Sequence, residues 1–287
     1  MIEGARKYLC SFSLGLRGAL EYRANFLFSL LGAVAPVIIQ TALWTCLYAP
    51  AAGGAGTGGS TGALSASGES LRLFGFSYAQ MLGYVVVANI VSRLVRTGFE
   101  YELNDDIRGG GLDRFLVKPI GYFGFRMAQF AGAKSAETAF MGAALAAALA
   151  ALHAATGFGV ALGAVALFIP ALVLAFLLNF LIFWCVGLLG FWLTEIGFLF
   201  EAVRIVIVTA SGGVFPLSVF GSGPQAVLEA LPFRFTIQFP TDVLCGRVAG
   251  AEALSGLALA AAWSIALFLL GRRMWASGLG RFVAVGS

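Results

Sequence analysis

The densest run of chemically able side chains is Glu100–Ile120, EYELNDDIRGGGLDRFLVKPI. Here Glu100, Glu102, Asp105, Asp106 and Asp113 stand among Arg96, Arg108, Arg114 and Lys118. Acids with no histidine or cysteine beside them lack the softer ligands of a zinc centre, and their near balance with bases sets the run apart from a polybasic lipid anchor. Leu103, Ile107, Leu112, Phe115 and Leu116 recur among the charges. That mixture predicts a short amphipathic helix, a turn at Gly109–Gly111, and a second short helix ended by Pro119. Such a face suits docking onto a protein partner. Other polar groups lie inside apolar stretches, where they are costly and face protein or water rather than lipid. Glu201 and Arg204, three residues apart on one helical face, can neutralise each other. Gln40, Asn89 and Asn179 can form interhelical hydrogen bonds or line a translocation surface.

Several chemistries are excluded by what is missing. A phosphate cradle of the form G-x-x-x-x-G-K-[ST] is absent, and the nearest approach, Gly132-Ala133-Lys134-Ser135, has alanine where glycine must precede the lysine. Gly54, Gly56 and Gly59 match G-x-G-x-x-G, and Gly58–Gly62 matches G-x-S-x-G, but neither has the strand-turn-helix context that gives those patterns a function. The single histidine, His153, and the scattered Cys10, Cys46, Cys185 and Cys245 give neither a metal site nor a disulfide framework. No catalytic residue and no metal ligand is assigned.

The elements that carry these residues follow from composition. Of 287 residues, 60% are hydrophobic and 11% charged, against about 25% charged in soluble domains, and mean hydropathy is +0.91. This describes an all-α integral membrane protein forming a single domain over 1–287, and excludes a water-soluble enzyme or a disordered chain. About 20 apolar residues cross a bilayer core of roughly 30 Å. Six stretches qualify: Phe26–Tyr48, Phe74–Ser92, Lys134–Leu152, one starting near Phe158, Glu195–Phe215 and Leu254–Leu270. Phe158–Leu193 carries no charge and would reach roughly 50 Å as one straight helix, so Pro170 and Gly187–Gly190 are expected break points. With six spans, 15 of the 18 Lys and Arg fall on one side, which places both termini in the cytoplasm. The net charge of +4 therefore reports orientation, not nucleic-acid binding. Residues 1–24, with Leu9, Phe12, Leu16 and Leu20 at helical spacing, read as an interfacial helix. The Gly, Ala and Ser tract 51–70 reads as a flexible external loop. In 216–250, Pro216, Pro224, Pro232 and Pro240 interrupt apolar sequence, as in a re-entrant external hairpin before the last helix, where Arg234 and Asp242 can pair.

Three blocks resemble one family. Ile107–Ile120, IRGGGLDRFLVKPI, resembles the cytoplasmic segment I-R-x-G-x-L-D-x-x-L-x-x-P of permeases in the type 2 ABC exporter superfamily. GGVFPLSVF (Gly212–Phe220) with PFRFTIQFPTDVLCGR (Pro232–Arg247) is similar to their external loop and fifth-span end, and LGRRMWASGLGRF (Leu270–Phe282) to their C-terminus. The resemblance implies a permease subunit in a bacterial plasma (inner) membrane, in contact with lipid. It implies a second, identical or related permease chain and separate ATP-binding cassette subunits that hold ATP and Mg; the chain itself needs no cofactor. Segment 94–120 would then be the coupling element, carried by Glu102, Asp105, Asp106, Ile107, Arg108, Leu112, Asp113, Arg114, Phe115 and Pro119. Arg108→Glu or Leu112→Asp is expected to uncouple hydrolysis from transport in a folded chain. Gln40, Asn89, Asn179, Glu201 and Arg204 are the pathway candidates, and Pro216, Pro232, Phe233 and Pro240 the external gate. The transported molecule is expected to be amphipathic or lipid-like. The alternative is an ion-coupled secondary transporter, for which Glu201 is the one plausible coupling carboxylate; a membrane enzyme would need clustered histidines and acids that are missing.

Overall fold

The computed structural model describes residues 2–21, 23–48, 72–117 and 120–282. The tract 51–70, Lys118, Pro119 and the side chains of Leu20 and Leu116 lie outside the described residues. Every named element is a helix: α1 (Ile2–Glu21), α2 (Arg23–Tyr48), α3 (Tyr78–Val95), α4 (Phe99–Arg108), α5 (Asp113–Leu116), α6 (Tyr122–Thr156), α7 (Leu162–Leu188), α8 (Gly197–Ala210), α9 (Ser222–Ala230), α10 (Gln238–Leu244) and α11 (Gly250–Leu279).

Among the described residues, four helical stretches are long and apolar enough to cross a membrane. They are Tyr78–Arg108, which α3 and α4 share across a break, Tyr122–Thr156, Leu162–Phe191 and Gly250–Leu279. α6 begins well before the expected Lys134, because its first turns are aromatic and polar and face other helices rather than lipid. Pro170 does not break α7, which continues past it; in membrane helices the backbone groups that a proline frees can be satisfied by neighbouring helices and small local adjustments. The break comes at the glycine pair, where a 3-10 turn at Leu189–Phe191 ends the helix. α8 has only 14 residues, about 21 Å of helix, so the expected span Glu195–Phe215 is not one continuous crossing helix.

α7 is the central element, touching α3, α4, α8, α10 and α11. Along it lie two apolar clusters. The first joins Trp44, Met81, Tyr84, Ala175, Leu178 and Phe239. The second lies under α4 and includes Phe99, Leu103, Ile107, Leu112, Phe180 and Trp184. α1 lies against α6, and the two backbones meet at glycines: a Cβ on Gly15 would run into the Gln129 carbonyl, and one on Gly132 into that of Phe12. The packed face of α1 is thus its small residues, Ser11 and Gly15, while Leu9 is 66% exposed. Small residues let helices approach in a way that a leucine stripe cannot.

Segment 216–250 folds as short broken helices. Gly212 (φ +78°) turns the chain after α8, Pro232 opens a 3-10 turn at Pro232–Thr236, and every residue of α10 is buried. Gln238 knits the region together: its amide donates to the Ser211 carbonyl at 2.9 Å and its side-chain oxygen accepts from Leu217 N at 3.0 Å. Tyr84 Oη donates to the Gly212 carbonyl at 2.6 Å. Arg234 and Asp242 do not pair. Arg234 lies 3.7 Å from Glu229, and Asp242 lies 3.5 Å from Arg247, whose guanidinium covers the Phe76 ring.

Candidate functional site

α4 forms where the sequence places acids in a first turn and a base in a last turn, each matched to the helix dipole. The three glycines after it are a functional turn: Gly110 has φ +74°, and a Cβ on Gly111 would strike the Asp106 side chain. Leu112 N then donates to the Asp106 carbonyl at 2.9 Å, closing the chain into α5.

The apolar side chains of this segment turn inward, against the expectation that they dock onto a partner. Leu103 and Leu112 are fully buried and Ile107 nearly so. The reason is complementary relief. α7 ends in glycines where α4 crosses it, and a Cβ on Gly187 would lie 2.7 Å from Leu103 Cδ2. Phe99 stacks on Phe180 at 4.2 Å, Phe180 on Trp184, Trp184 on Trp275, and Trp275 on Tyr122 at 5.5 Å. Phe115 meets Tyr122 edge-on at 5.0 Å. Arg108 donates to the carbonyls of Gly190 and Leu193. Leu112→Asp would therefore bury a charge, and Arg108→Glu would cut the link to the turn after α7; neither tests a partner contact cleanly.

Two arginines pin α4 from opposite sides. Arg126 of α6, 6% exposed, pairs with Glu102 and Asp106, and its Nε donates to Tyr122 Oη at 2.9 Å while Tyr122 donates to Asp106. Arg204 of α8 binds Glu100, which has no exposed surface, at 2.6 Å. It also donates to the Thr97 carbonyl at 3.3 Å and lies over Phe183. Glu201 sits 3.6 Å from Arg204 and accepts from Tyr101 Oη at 2.6 Å, with its side chain 55% exposed. The expected Glu201–Arg204 pair is present, but the buried partner of Arg204 is Glu100. What remains outward is mostly polar: Tyr101, Glu102, Asp105, Arg108 and Arg114 are exposed and Asp113 is half-buried, with Val117 the apolar exception.

Beside α4 opens a cavity of about 190 Å³. Asn89, Asn179 and Arg204 line it with Arg93, Arg96 and Thr97. Phe183, Ile207, Val208 and Ile237 supply apolar wall. Gln40 stands behind, its oxygen accepting from Asn89 at 2.9 Å, and Asn179 donates to the Val95 carbonyl. Three of the five pathway candidates thus meet at one space, while Glu201 faces away from it. Arg93 and Arg96 read in sequence as inner-edge bases. Their spacing of three, matched with Arg204 on another span, was the available signal that they share a site. Pro216, Pro232 and Pro240 are buried among the broken helices, while Phe233 is half-buried and packs against the cluster under α4; Pro119 lies outside the described residues. Among the described residues, no cluster of His, Cys, Asp or Glu could hold a metal ion.

Residues 68–286 match the family described as ABC-2 family transporter protein. No curated protein and no solved structure matches the chain. The matched region takes in α3 to α11, and the chain belongs to that family: it is the multi-pass membrane permease of an ABC transporter, whose family works with ATP-binding cassette subunits.

Proposed function

We propose that this ABC-2 permease exports an amphipathic or lipid-like molecule from the cytoplasm, driven by ATP hydrolysis on separate cassette subunits that hold the nucleotide and Mg. It pairs with a second permease chain in a bacterial inner membrane. Six crossings, with α1 on the inner surface and the broken helices 216–250 entering the membrane from outside, put both termini in the cytoplasm.

The observation that carries this reading is the two-sidedness of α4. Its inner face is locked to α6 by Arg126, to α7 by Phe99 and Leu103, and to α8 by Arg204, while its outer face leaves Asp105 exposed, as α5 leaves Arg114. A helix held in this way moves as one piece with its supports. Closure of a nucleotide domain against the outer face would tilt α6 and α8 without refolding them, as rigid-body transmission requires.

Asp105 is exposed, and among the described residues its side chain makes no hydrogen bond or ion pair, so Asp105→Arg replaces the Arg108→Glu and Leu112→Asp tests. In the tagged, gently extracted complex, wild type is expected to retain a nucleotide-binding subunit and to couple hydrolysis to transport in vesicles. Asp105→Arg is expected to lose at least about tenfold of that coupling, with unfolding stability unchanged within about 0.5 kcal/mol. A chain that purifies alone and transports on an ion gradient would establish the secondary-transporter reading instead.

A further inference from the structure

The cavity beside α4 concentrates positive charge at the C-terminal end of α3. Arg93 and Arg96 reach it from the end of α3 and Arg204 reaches it from α8, and none of the residues lining it is a carboxylate. Arg204 is balanced by Glu100 at 2.6 Å and Glu201 at 3.6 Å, both outside the lining. Arg96 has no such close carboxylate among the described salt bridges; it is partly desolvated, and the repulsion of Arg204 and Arg93 on it outweighs the attraction of Glu201 and Glu100. Like charges gathered in a poorly solvated space are unfavourable alone and become favourable when an anion is shared between them. The volume, about 190 Å³, is below the range of about 300–1,000 Å³ that encloses a whole drug-sized ligand. It admits a headgroup, whose adjoining carbons meet the apolar wall of Phe183, Ile207 and Val208, and leaves the rest of the chains outside.

We infer that this cavity captures the anionic headgroup, a phosphate or carboxylate, of an amphiphile drawn from the adjacent leaflet. Guanidinium groups suit that task because they offer paired donors to two oxygens of one anion. The inference rests on the exporter reading above and narrows its cargo to anionic amphiphiles.

The test uses the purified full chain in neutral detergent, without nucleotide or partner, so that its result is separate from that of the coupling experiment. Binding of a tail-labelled phosphatidic acid is compared with that of the same-tailed phosphatidylcholine by fluorescence anisotropy. The acid is expected to bind at least about tenfold more tightly, and Arg96→Gln to remove most of that preference. Arg96→Lys should keep part of it, and Arg272→Gln, on the exposed end of α11, all of it. If Arg96→Gln proves unstable, Val208→Phe, which fills the cavity without touching a charge, should abolish the preference. Equal binding of the two lipids, or a preference that survives both Arg96→Gln and Val208→Phe, would overturn the assignment. Displacement of the lipid by millimolar inorganic phosphate would also overturn it, since the ligand would then be a soluble anion.

Discussion

The two ends of α3 are held by different chemistry. At its C-terminal end, α4 is fastened by Arg126 with Glu102 and Asp106, by Arg204 with Glu100, and by a ladder of stacked rings. At its N-terminal end, the broken helices 216–250 keep their ion pairs, Arg234–Glu229 and Arg247–Asp242, within the segment, and are fastened to what surrounds them by bonds to backbone groups: Tyr84 on Gly212, Gln238 on Ser211. Ion pairs bind two elements through their side chains and tolerate a polar face on the other side. Bonds to backbone groups instead complete a region whose helices are short and interrupted, and which leaves many of its own backbone groups to be satisfied from outside. The first arrangement suits a surface that something else pushes. The second suits a plug.

That contrast can be broken most forcefully at Arg204. Arg204→Ala leaves Glu100 buried without its cation, and the loss of one partner of a buried pair costs about 3–5 kcal/mol. A large fall in thermal stability is expected, with Arg204→Met/Glu100→Leu recovering most of it. A small effect of the single change would mean that the pair does not hold α4. Next in size is Tyr84→Phe at the other end. It strands the buried Gly212 carbonyl at about 1–3 kcal/mol, and because the bond lies away from α4, nucleotide-subunit retention should be normal. Loss of that subunit would show that the two ends are not separable. Smallest is Glu201→Gln. Its side chain is 55% exposed and 3.6 Å from Arg204, so the change should cost under about 1 kcal/mol, and leave transport independent of any ion gradient. Collapse of gradient-driven uptake would instead make Glu201 a coupling carboxylate.

The long helices were legible in sequence because lipid demands an unbroken apolar run, and α7 and α11 have one. Where helices face one another the signal weakens. The first turns of α6 carry Tyr122, Arg126 and Gln129, which look like the outside of a membrane until Glu102 and Asp106 are placed beside them. In α1 the leucines at helical spacing were readable as an outward stripe, but nothing in that spacing showed that Gly15 would be the contact with α6. In the candidate site, residue types were readable and directions were not. Ile107 and Leu112 mark an amphipathic helix whether the apolar face meets a partner or the chain's own α7, and only the glycines at the end of α7 decide between the two. Arg204 was expected to pair with its near neighbour, but the buried acid that claims it comes from another helix, a contact without a sequence period.

The meeting of Gly15 and Gly132 also sets an order of assembly. Gly15 leaves the ribosome well before Gly132, and at about 5–20 residues per second the interval is on the order of ten seconds. During that time α1 has no α6 to rest on; if it lies at the bilayer surface as proposed, its leucines hold it there, including Leu9, which remains outward in the finished fold. The exposed leucines are thus a mooring for the young chain, and the glycine face is what α6 takes up when it arrives. Lengthening the chain between them would lengthen that wait, while a bulkier residue at either glycine would leave the moored helix with no berth.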